Sequence, residues 1–130
     1  MNMNQLKKVI IAERKRMYNH LIYIPLRRYG LKFIQGQTVS NVKLAFIMDR
    51  LGLPITINLF SFLSGKKRSN VYSTLQGLGD KNVLNLIGYQ KNALVYQVHP
   101  TFLEGVKGID YTRLDLIRKQ LEKEGINGVE

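Results

Sequence analysis

Apolar side chains recur every three or four positions along several segments of the chain, which is the spacing of one face of an α-helix. In residues 3–22 they are interleaved with lysines and arginines, which predicts a basic amphipathic helix. Residues 42–48 are apolar almost all round, which predicts a buried central helix that ends at Gly52. A further helix is expected to begin at Pro54, because a first helical residue needs no N–H donor.

Proline, glycine and capping residues set the expected breaks between these first helices. Pro25 is expected to stop the first helical pattern, and glycines in residues 23–37 to mark turns. A short strand is predicted at residues 31–34. Thr38 or Ser40 is then expected to cap the central helix, because a side-chain oxygen can accept from the free N–H groups of the first turn.

The helix that begins at Pro54 is expected to be joined to a second helix by a tight basic turn. Ser61, Gly65 and Val71 supply what such a pair needs: a small residue at the crossing, a left-handed turn residue and an apolar anchor. Val71 begins an apolar stripe that continues with Leu75 and Leu78. The opposite, small and polar face carries Ser69, Ser73 and Gln76, with Asn70 and Tyr72 on its flanks.

A β-hairpin is predicted directly after this second helix. The β-prone runs Val83–Tyr89 and Ala93–Val98 are separated by Gln90, Lys91 and Asn92, a polar and basic tip. Asn82 precedes the first run and tolerates a positive φ angle.

The end of the chain is predicted to form a loop and a last helix. Pro100 closes the hairpin, and the following loop, Thr101–Gly108, is expected to turn Phe102 and Leu103 inward. Asp110 is expected to cap a helix over residues 111–124 that stops at Gly125, with Leu114, Ile117 and Leu121 on its apolar side. On its polar side, Asp115 is spaced to pair with Arg118 or Lys119.

These elements together predict an α+β fold that is mostly α-helical. The expected organisation is an N-terminal basic helix and linker over residues 1–37, a core over residues 38–108, and a C-terminal helix over residues 109–130. At 130 residues, the three parts are expected to form a single compact domain. Apolar residues make up 45% of the chain, which is enough for a hydrophobic core and argues against wholesale disorder.

Charge is distributed unevenly along the chain. The formal net charge is +11, and residues 1–91 hold 15 of the 20 lysines and arginines but only three of the nine acids. This imbalance favours one surface that binds a polyanion over charge that is spread for solubility. The alternative is a basic protein from a host whose proteins are generally basic.

The second helix and the start of the hairpin carry a resemblance to a known family. Val71-Tyr72-x-Thr74-Leu75-x-x-Leu78, followed by Val83-Leu84, resembles the winged helix-turn-helix regulators, many of which have T-V-Y-R-T-L-x-x-L before Gly-Leu-Ile. The resemblance covers about residues 40–100. Three positions depart from that pattern: Asn82 stands where the family usually has Gly, Ser73 where Arg is common, and Lys66 where the turn residue is apolar.

A weaker resemblance lies at the exit of the hairpin. Tyr96-x-x-x-Pro100-x-Phe102 is similar to the corresponding segment of plasmid replication initiators of the winged-helix class. Both resemblances imply a helix that enters the major groove of double-stranded DNA. The implied functions are transcription regulation and, as an alternative, the binding of a plasmid or viral replication origin.

The residue types around the second helix suit contacts with DNA. Lys66, Lys67 and Arg68 precede the helix, where side chains and backbone N–H groups can both face a phosphate. Ser69, Asn70, Ser73 and Gln76 are candidates for base edges, and Tyr72 is a flanking contact. Lys91 and Asn92 at the hairpin tip are candidates for the DNA backbone or minor groove. The alternative for the basic triplet and the polar face is ordinary solvated surface.

Little in the sequence points to catalysis, so an enzyme, a cofactor and a metal site are not expected. There is no cysteine, and the two histidines, His20 and His99, lie far apart. Ser64-Gly65-Lys66 lacks the earlier glycine of a phosphate-binding loop, because position 60 is Phe. Neither a membrane span nor a signal peptide is predicted, which suggests a cytoplasmic or nucleoid-associated protein.

Three points of the prediction stay open. The basic first helix can pack on the core, add phosphate contacts beside the winged helix, or touch an anionic membrane. The last helix, or the first, can form the contact of a homodimer, or the last helix can pack on its own domain. A winged helix can also serve as a protein–protein interaction module, although the basic imbalance argues against that use.

Overall fold

A computed structural model describes residues 1–29 and 36–125. Within these two ranges the chain forms seven helices and one two-stranded antiparallel sheet. The predicted α+β, mostly helical class is therefore confirmed. The strand predicted at residues 31–34 lies outside the described residues.

The elements follow one another closely along the chain. The helices are α1 (Met3–Arg16), α2 (Asn19–Arg28), α3 (Gly36–Arg50), α4 (Ile57–Ser64), α5 (Arg68–Asp80), α6 (Pro100–Gly105) and α7 (Thr112–Lys123). The strands are β1 (Leu84–Gln90) and β2 (Ala93–Val98), which form a hairpin between α5 and α6. Buried residues of α1 through α7 and of both strands belong to one hydrophobic cluster.

The first helical segment is two helices, so the prediction of one helix over residues 3–22 is wrong. The chain is extended at Met17 and Tyr18, between α1 and α2. The Lys43 ammonium of α3 fixes this break, because it donates to the Met17 carbonyl at 2.9 Å and to Asn19 Oδ1 at 2.7 Å. The expectation that Pro25 stops the helix is also wrong, since Pro25 lies inside α2 and is buried with Ile22 and Leu26.

The central helix α3 is buried on nearly every side, as predicted. Residues 41–48 are all buried, and α3 packs against α1, α2, α4 and α7. Two of these buried residues are polar, Asn41 and Lys43. The expected caps are wrong: α3 begins at Gly36, so Thr38 and Ser40 lie within the helix.

The prediction that this helix begins at Pro54 is wrong, because α4 begins at Ile57. Thr56 is the N-cap, and its Oγ1 accepts from the Leu59 N–H at 3.2 Å. Ile55 stays extended because its carbonyl accepts the Tyr96 N–H of β2 at 2.9 Å. The segment before α4 therefore borders β2, and β1 lies on the other side of β2.

The predicted hairpin is present, with its turn at Lys91 and Asn92. Both residues have positive φ angles, 49° and 66°, between the paired residues Gln90 and Ala93. Consecutive positive φ angles match the right-handed twist of the two strands. Ile87 is unpaired in a β-bulge of β1.

The segment after the hairpin differs from the predicted loop. Pro100–Gly105 forms the short helix α6, in which Phe102 is fully buried but Leu103 is 39% exposed. The expectation that both side chains turn inward is therefore wrong for Leu103. Phe102 has edge-on contacts with the rings of Tyr29 and Phe46.

Helix α7 packs on α3 through Leu114 and Leu121. The N-cap of α7 is Tyr111 rather than the predicted Asp110, although Asp110 Oδ1 accepts the Thr112 N–H at 3.0 Å. The expected pairing of Asp115 within its own helix is wrong, because Asp115 accepts two hydrogen bonds from Arg50 of α3, at 2.8 and 3.0 Å. In the described ranges, no helix has the length and apolar character needed to cross a lipid bilayer.

Candidate nucleic-acid interface

The turn between α4 and α5 is held by hydroxyl groups of α4. Gly65 has a φ angle of 73°, so it ends α4 in the left-handed conformation that the sequence predicted. Ser61 Oγ donates to the Lys66 carbonyl at 2.6 Å, and Ser64 Oγ accepts the Lys66 N–H at 3.2 Å. These bonds fix where the chain enters α5, and they explain why a small polar residue suits position 61.

Helix α5 has the two faces that its sequence predicted. Val71, Leu75 and Leu78 are buried at 0%, 1% and 5% exposure. On the opposite side, the side chains face solvent at Ser69, Ser73 and Gln76, and Asn70 is exposed on one flank. The Ser73 hydroxyl donates weakly to the Ser69 carbonyl at 3.3 Å and keeps its lone pairs free to accept. This surface therefore offers amide and hydroxyl groups without large apolar side chains.

The N-terminus of α5 lacks a side-chain cap. Lys67 is the N-cap residue, and no side chain of the described residues accepts from the first N–H groups of the helix. Lys67 and Arg68 are both exposed beside these N–H groups. Uncapped N–H groups and the helix dipole favour an anion at this position.

Lys66, the first residue of the basic triplet, is directed away from the other two. Its Nζ donates to Asn41 Oδ1 of α3 at 2.9 Å, and the residue is half-buried. Burial lowers the pKa of the Lys66 ammonium, and the positive charge of Arg14 lowers it further. The basic triplet is therefore divided between two surfaces, Lys67 and Arg68 at the start of α5 and Lys66 near α1.

Tyr72 lies on the side of α5 that faces the hairpin. It is 47% exposed. Tyr96 of β2 lies against the same side of the helix, where its ring is 3.5 Å from the place that a Cβ on Gly79 would occupy. Burial raises the pKa of the Tyr96 hydroxyl, with smaller contributions from Tyr72 and Asp80.

The hairpin carries little positive charge. Lys91 is the only lysine or arginine between Leu84 and Val98, and it is exposed at the turn together with Asn92. The exposed large side chains of β1 are apolar or aromatic, namely Leu86, Ile87 and Tyr89. Contacts of this hairpin with a phosphate backbone would therefore depend on its tip.

Acidic residues are nearly absent from the chain between α1 and the end of α5. Asp49 is the only aspartate or glutamate between Arg14 and Gly79. Asp115 and Glu122 lie on α7, Glu124 is the C-cap of that helix, and Glu13 of α1 is paired with Arg113 at 3.0 Å. Basic side chains around α4 and the start of α5 therefore have few acids near them in sequence.

The sequence offered phosphate contacts by the basic first helix as one of three alternatives, but it did not single out the residues of α1 and α3 that lie beside this turn. Lys7 Nζ of α1 lies 5.0 Å from the centroid of the Phe62 ring of α4. Arg14 is close enough to Lys43 and Lys66 to lower the pKa of both ammonium groups, although burial has the larger effect. The available signals were the two-turn spacing of Lys7 and Arg14, which places them on one side of α1, and the isolated Asn41 in an apolar helix.

Candidates for catalysis do not come together. His99 is the N-cap of α6, where its Nδ1 accepts the Thr101 N–H at 3.2 Å. His20 of α2 stacks on the ring of Tyr18. Over residues 1–29 and 36–125, no group of three or more His, Cys, Asp or Glu side chains is arranged to hold a metal ion.

No protein-family model matches this chain, and no curated protein or solved structure matches it either. Support for a function therefore comes from the chain's own charge distribution and from the surface around α5.

Proposed function

We propose that this protein binds double-stranded DNA sequence-specifically through a winged helix-turn-helix and acts as a transcription regulator. In this proposal α4 and α5 are the helix-turn-helix, the β1–β2 hairpin is the wing, and α5 enters the major groove. The order of elements supports it, since a hairpin directly follows the second of two helices joined by a tight turn.

One observation carries the proposal: the exposed face of α5 is polar, and its uncapped N-terminus is flanked by Lys67 and Arg68. Phosphate contacts supply most of the affinity of such proteins, whereas base contacts in the groove supply the specificity. The start of α5 suits phosphate contacts, because charged side chains and backbone N–H groups converge there.

Base contacts would come from the side chains along the exposed face of α5. The Gln76 and Asn70 amides can form paired hydrogen bonds with the N6 and N7 edge of adenine, and the hydroxyls of Ser69 and Ser73 can contact several bases. Tyr72, on the side of α5 that faces the hairpin, would be a flanking contact, and Lys91 and Asn92 at the hairpin tip would contact the DNA backbone or minor groove. Lys66 has no direct role at the start of α5, because its ammonium is bonded to Asn41.

A homodimer is part of the proposal, because two copies would read two half-sites of a symmetric operator. Helix α7 already uses Leu114 and Leu121 on its own core, whereas Leu116 is 62% exposed. The outward side of α7 around Leu116 is therefore the surface that we assign to the second copy.

Selection of bound sequences from a random duplex pool, followed by fluorescence anisotropy, tests this function. Lys67→Ala should weaken binding to every duplex and reduce the slope of log K against log salt by about one unit, as expected for one phosphate contact. Gln76→Ala should cost about 1–3 kcal/mol at one base pair of the selected site and relax the choice there.

Lys107→Ala is the matched control, because it removes one exposed positive charge after α6, away from the residues proposed to contact DNA or the second copy. It should leave affinity and sequence preference close to those of the parent protein. A pool that yields no preferred sequence, together with equal losses for all three variants, would contradict the proposal. Binding to a protein partner that survives excess competitor DNA would favour the interaction-module alternative.

A further inference from the structure

One flank of α1 lies against the helix-turn-helix. Leu6 and Ile10 of α1 are buried in the core. Lys7 is one residue further round the helix from Leu6, and its ammonium lies over the Phe62 ring of α4. Arg14 is two turns beyond Lys7, so both cations lie on the same side of α1.

Two more cations, from other elements, lie close enough to Arg14 for its charge to act on them. Lys66, from the turn after α4, is bonded to Asn41, and Lys43 of α3 donates to the Met17 carbonyl and to Asn19. The partners that hold these ammonium groups are neutral oxygens. Within the described ranges, none of Lys7, Arg14, Lys43 and Lys66 is in an ion pair with a carboxylate.

Positive charge therefore accumulates here without internal compensation. The nearest carboxylate along α1, Glu13, is turned the other way, where it pairs with Arg113 at 3.0 Å and with Arg16 at 3.6 Å. Burial and the charge of Arg14 both lower the pKa of Lys43 and of Lys66, which is the expected effect of cations that repel one another in a partly desolvated place. An anion bound among them would relieve this repulsion.

We propose that Lys7, Arg14 and Lys66 form a second phosphate-binding site, which contacts neighbouring backbone phosphates of the DNA that α5 reads. Asn41 is a positioning residue in this site, because its side-chain oxygen directs the Lys66 ammonium towards α1. The inference rests on the proposed function and extends the DNA interface from α5 to the N-terminal helix.

The chemistry of the site fits a phosphodiester better than a membrane surface. A guanidinium can donate two parallel hydrogen bonds to phosphate oxygens, and the two ammonium groups add charge beside it. Lys66 is also joined directly to Lys67, so one strand of a duplex can contact this site and the start of α5 in succession. A membrane-surface helix would need a wide exposed apolar face, whereas α1 buries Leu6 and Ile10 in the protein core.

The salt dependence of DNA binding tests the inference. With a selected duplex, Lys7→Ala and Arg14→Ala should each reduce the slope of log K against log salt by about 0.9, the value for one lost phosphate contact. Arg14→Lys should keep most of the slope, because the charge stays. Lys107→Ala, which removes one exposed positive charge after α6, should leave the slope unchanged, and circular dichroism should show that every variant is folded.

Asn41→Asp provides a second test that removes no cation. The new carboxylate would pair with Lys66 and compete with the phosphate, so DNA binding should weaken while the thermal midpoint of the free protein does not fall. A purely structural role for Asn41 would instead lower the thermal midpoint and leave the salt slope of the folded protein unchanged.

The outcomes separate this inference from the function on which it rests. Unchanged salt slopes for Lys7→Ala and Arg14→Ala, beside a reduced slope for Lys67→Ala, would overturn the second site and leave DNA binding by α5 intact. Loss of sedimentation with phosphatidylglycerol vesicles in these same two variants, with unchanged DNA binding, would reassign the site to a membrane. Failure of the parent protein to bind any duplex would remove the proposed function itself.

Discussion

Asn82 sets the angle between α5 and the hairpin. Its φ angle is 60°, in the left-handed region that most residues avoid. The neighbouring Val83 N–H donates back to the Leu78 carbonyl at 3.0 Å, which closes the end of α5 and starts β1 in the correct direction. Asn is the most tolerant residue after Gly in this conformation, which explains how this chain keeps the turn without glycine.

Replacement of Asn82 by Ala should reduce the free energy of unfolding by about 1 kcal/mol, because an L-residue with an unassisted Cβ is strained in the left-handed region. Asn82→Gly should be neutral or slightly stabilising, because glycine adopts this conformation without a steric cost. Urea denaturation followed by circular dichroism measures both changes. Equal stability of the two variants would show that the backbone at this position does not need a positive φ angle.

The short helix α6 closes one side of the core. Phe102 is fully buried, and its ring centroid lies 5.1 Å from that of Tyr29 and 5.9 Å from that of Phe46. Six residues are too few to form a stable helix alone, so α6 depends on this packing. The sequence therefore predicted a buried Phe102 but a loop around it.

Phe102→Ala should reduce the free energy of unfolding by about 3–5 kcal/mol, through lost burial and the cavity that remains. The adjacent Leu103 is 39% exposed and provides a control, since Leu103→Ala removes a side chain that is not in the core. Its expected cost is below about 1 kcal/mol. Thermal or urea denaturation of the two variants tests the difference, and a comparable loss for both would mean that α6 is packed differently.

Helix α7 is held in place by contacts with the start of the chain and with α3. The Met1 amino group pairs with Glu124 at 2.6 Å, so α7 lies close to the start of the chain. Arg50, at the end of α3, bonds both oxygens of Asp115 and lies 4.2 Å from the centroid of the Tyr111 ring. Residues that are far apart in sequence thus hold α7 on the domain core.

Stability should depend on acid pH through Asp115. The hydrogen bonds from Arg50 hold the pKa of the Asp115 carboxyl below its usual range, with help from the charges of Arg118 and Lys119. A carboxyl with a lowered folded-state pKa stabilises the fold above its unfolded-state pKa of about 3.9, and this contribution is lost as the pH falls through the folded-state value.

The thermal midpoint of Asp115→Asn should therefore lie below that of the parent protein at pH 6 and converge with it at acid pH. The effect should be modest, since the two paired side chains are 43% and 44% exposed. A double-mutant cycle with Arg50→Gln isolates the pair, because its coupling should also vanish at acid pH. A difference in midpoint that is independent of pH would assign the stabilisation to packing instead.

Features that neighbouring residues control could be predicted from the sequence alone. The buried stripe of Val71, Leu75 and Leu78, the polar face opposite to it, and the glycine turn before them all follow from helical periodicity and local backbone preferences. Both strands were predicted nearly to the residue for the same reason. The candidate residues at Lys67, Arg68 and along the exposed face of α5 were therefore available before the fold was known.

Features that depend on residues far apart in the chain are set only in the folded structure. Lys43 breaks the first helical segment at Met17, Tyr96 keeps Ile55 extended and so delays α4, and Asn41 draws Lys66 towards α1. Each is a hydrogen bond between residues at least 24 positions apart, which leaves no periodic signal in the sequence. The sequence left open where the basic residues of α1 lie relative to α4 and α5, because no periodic signal places one helix against another.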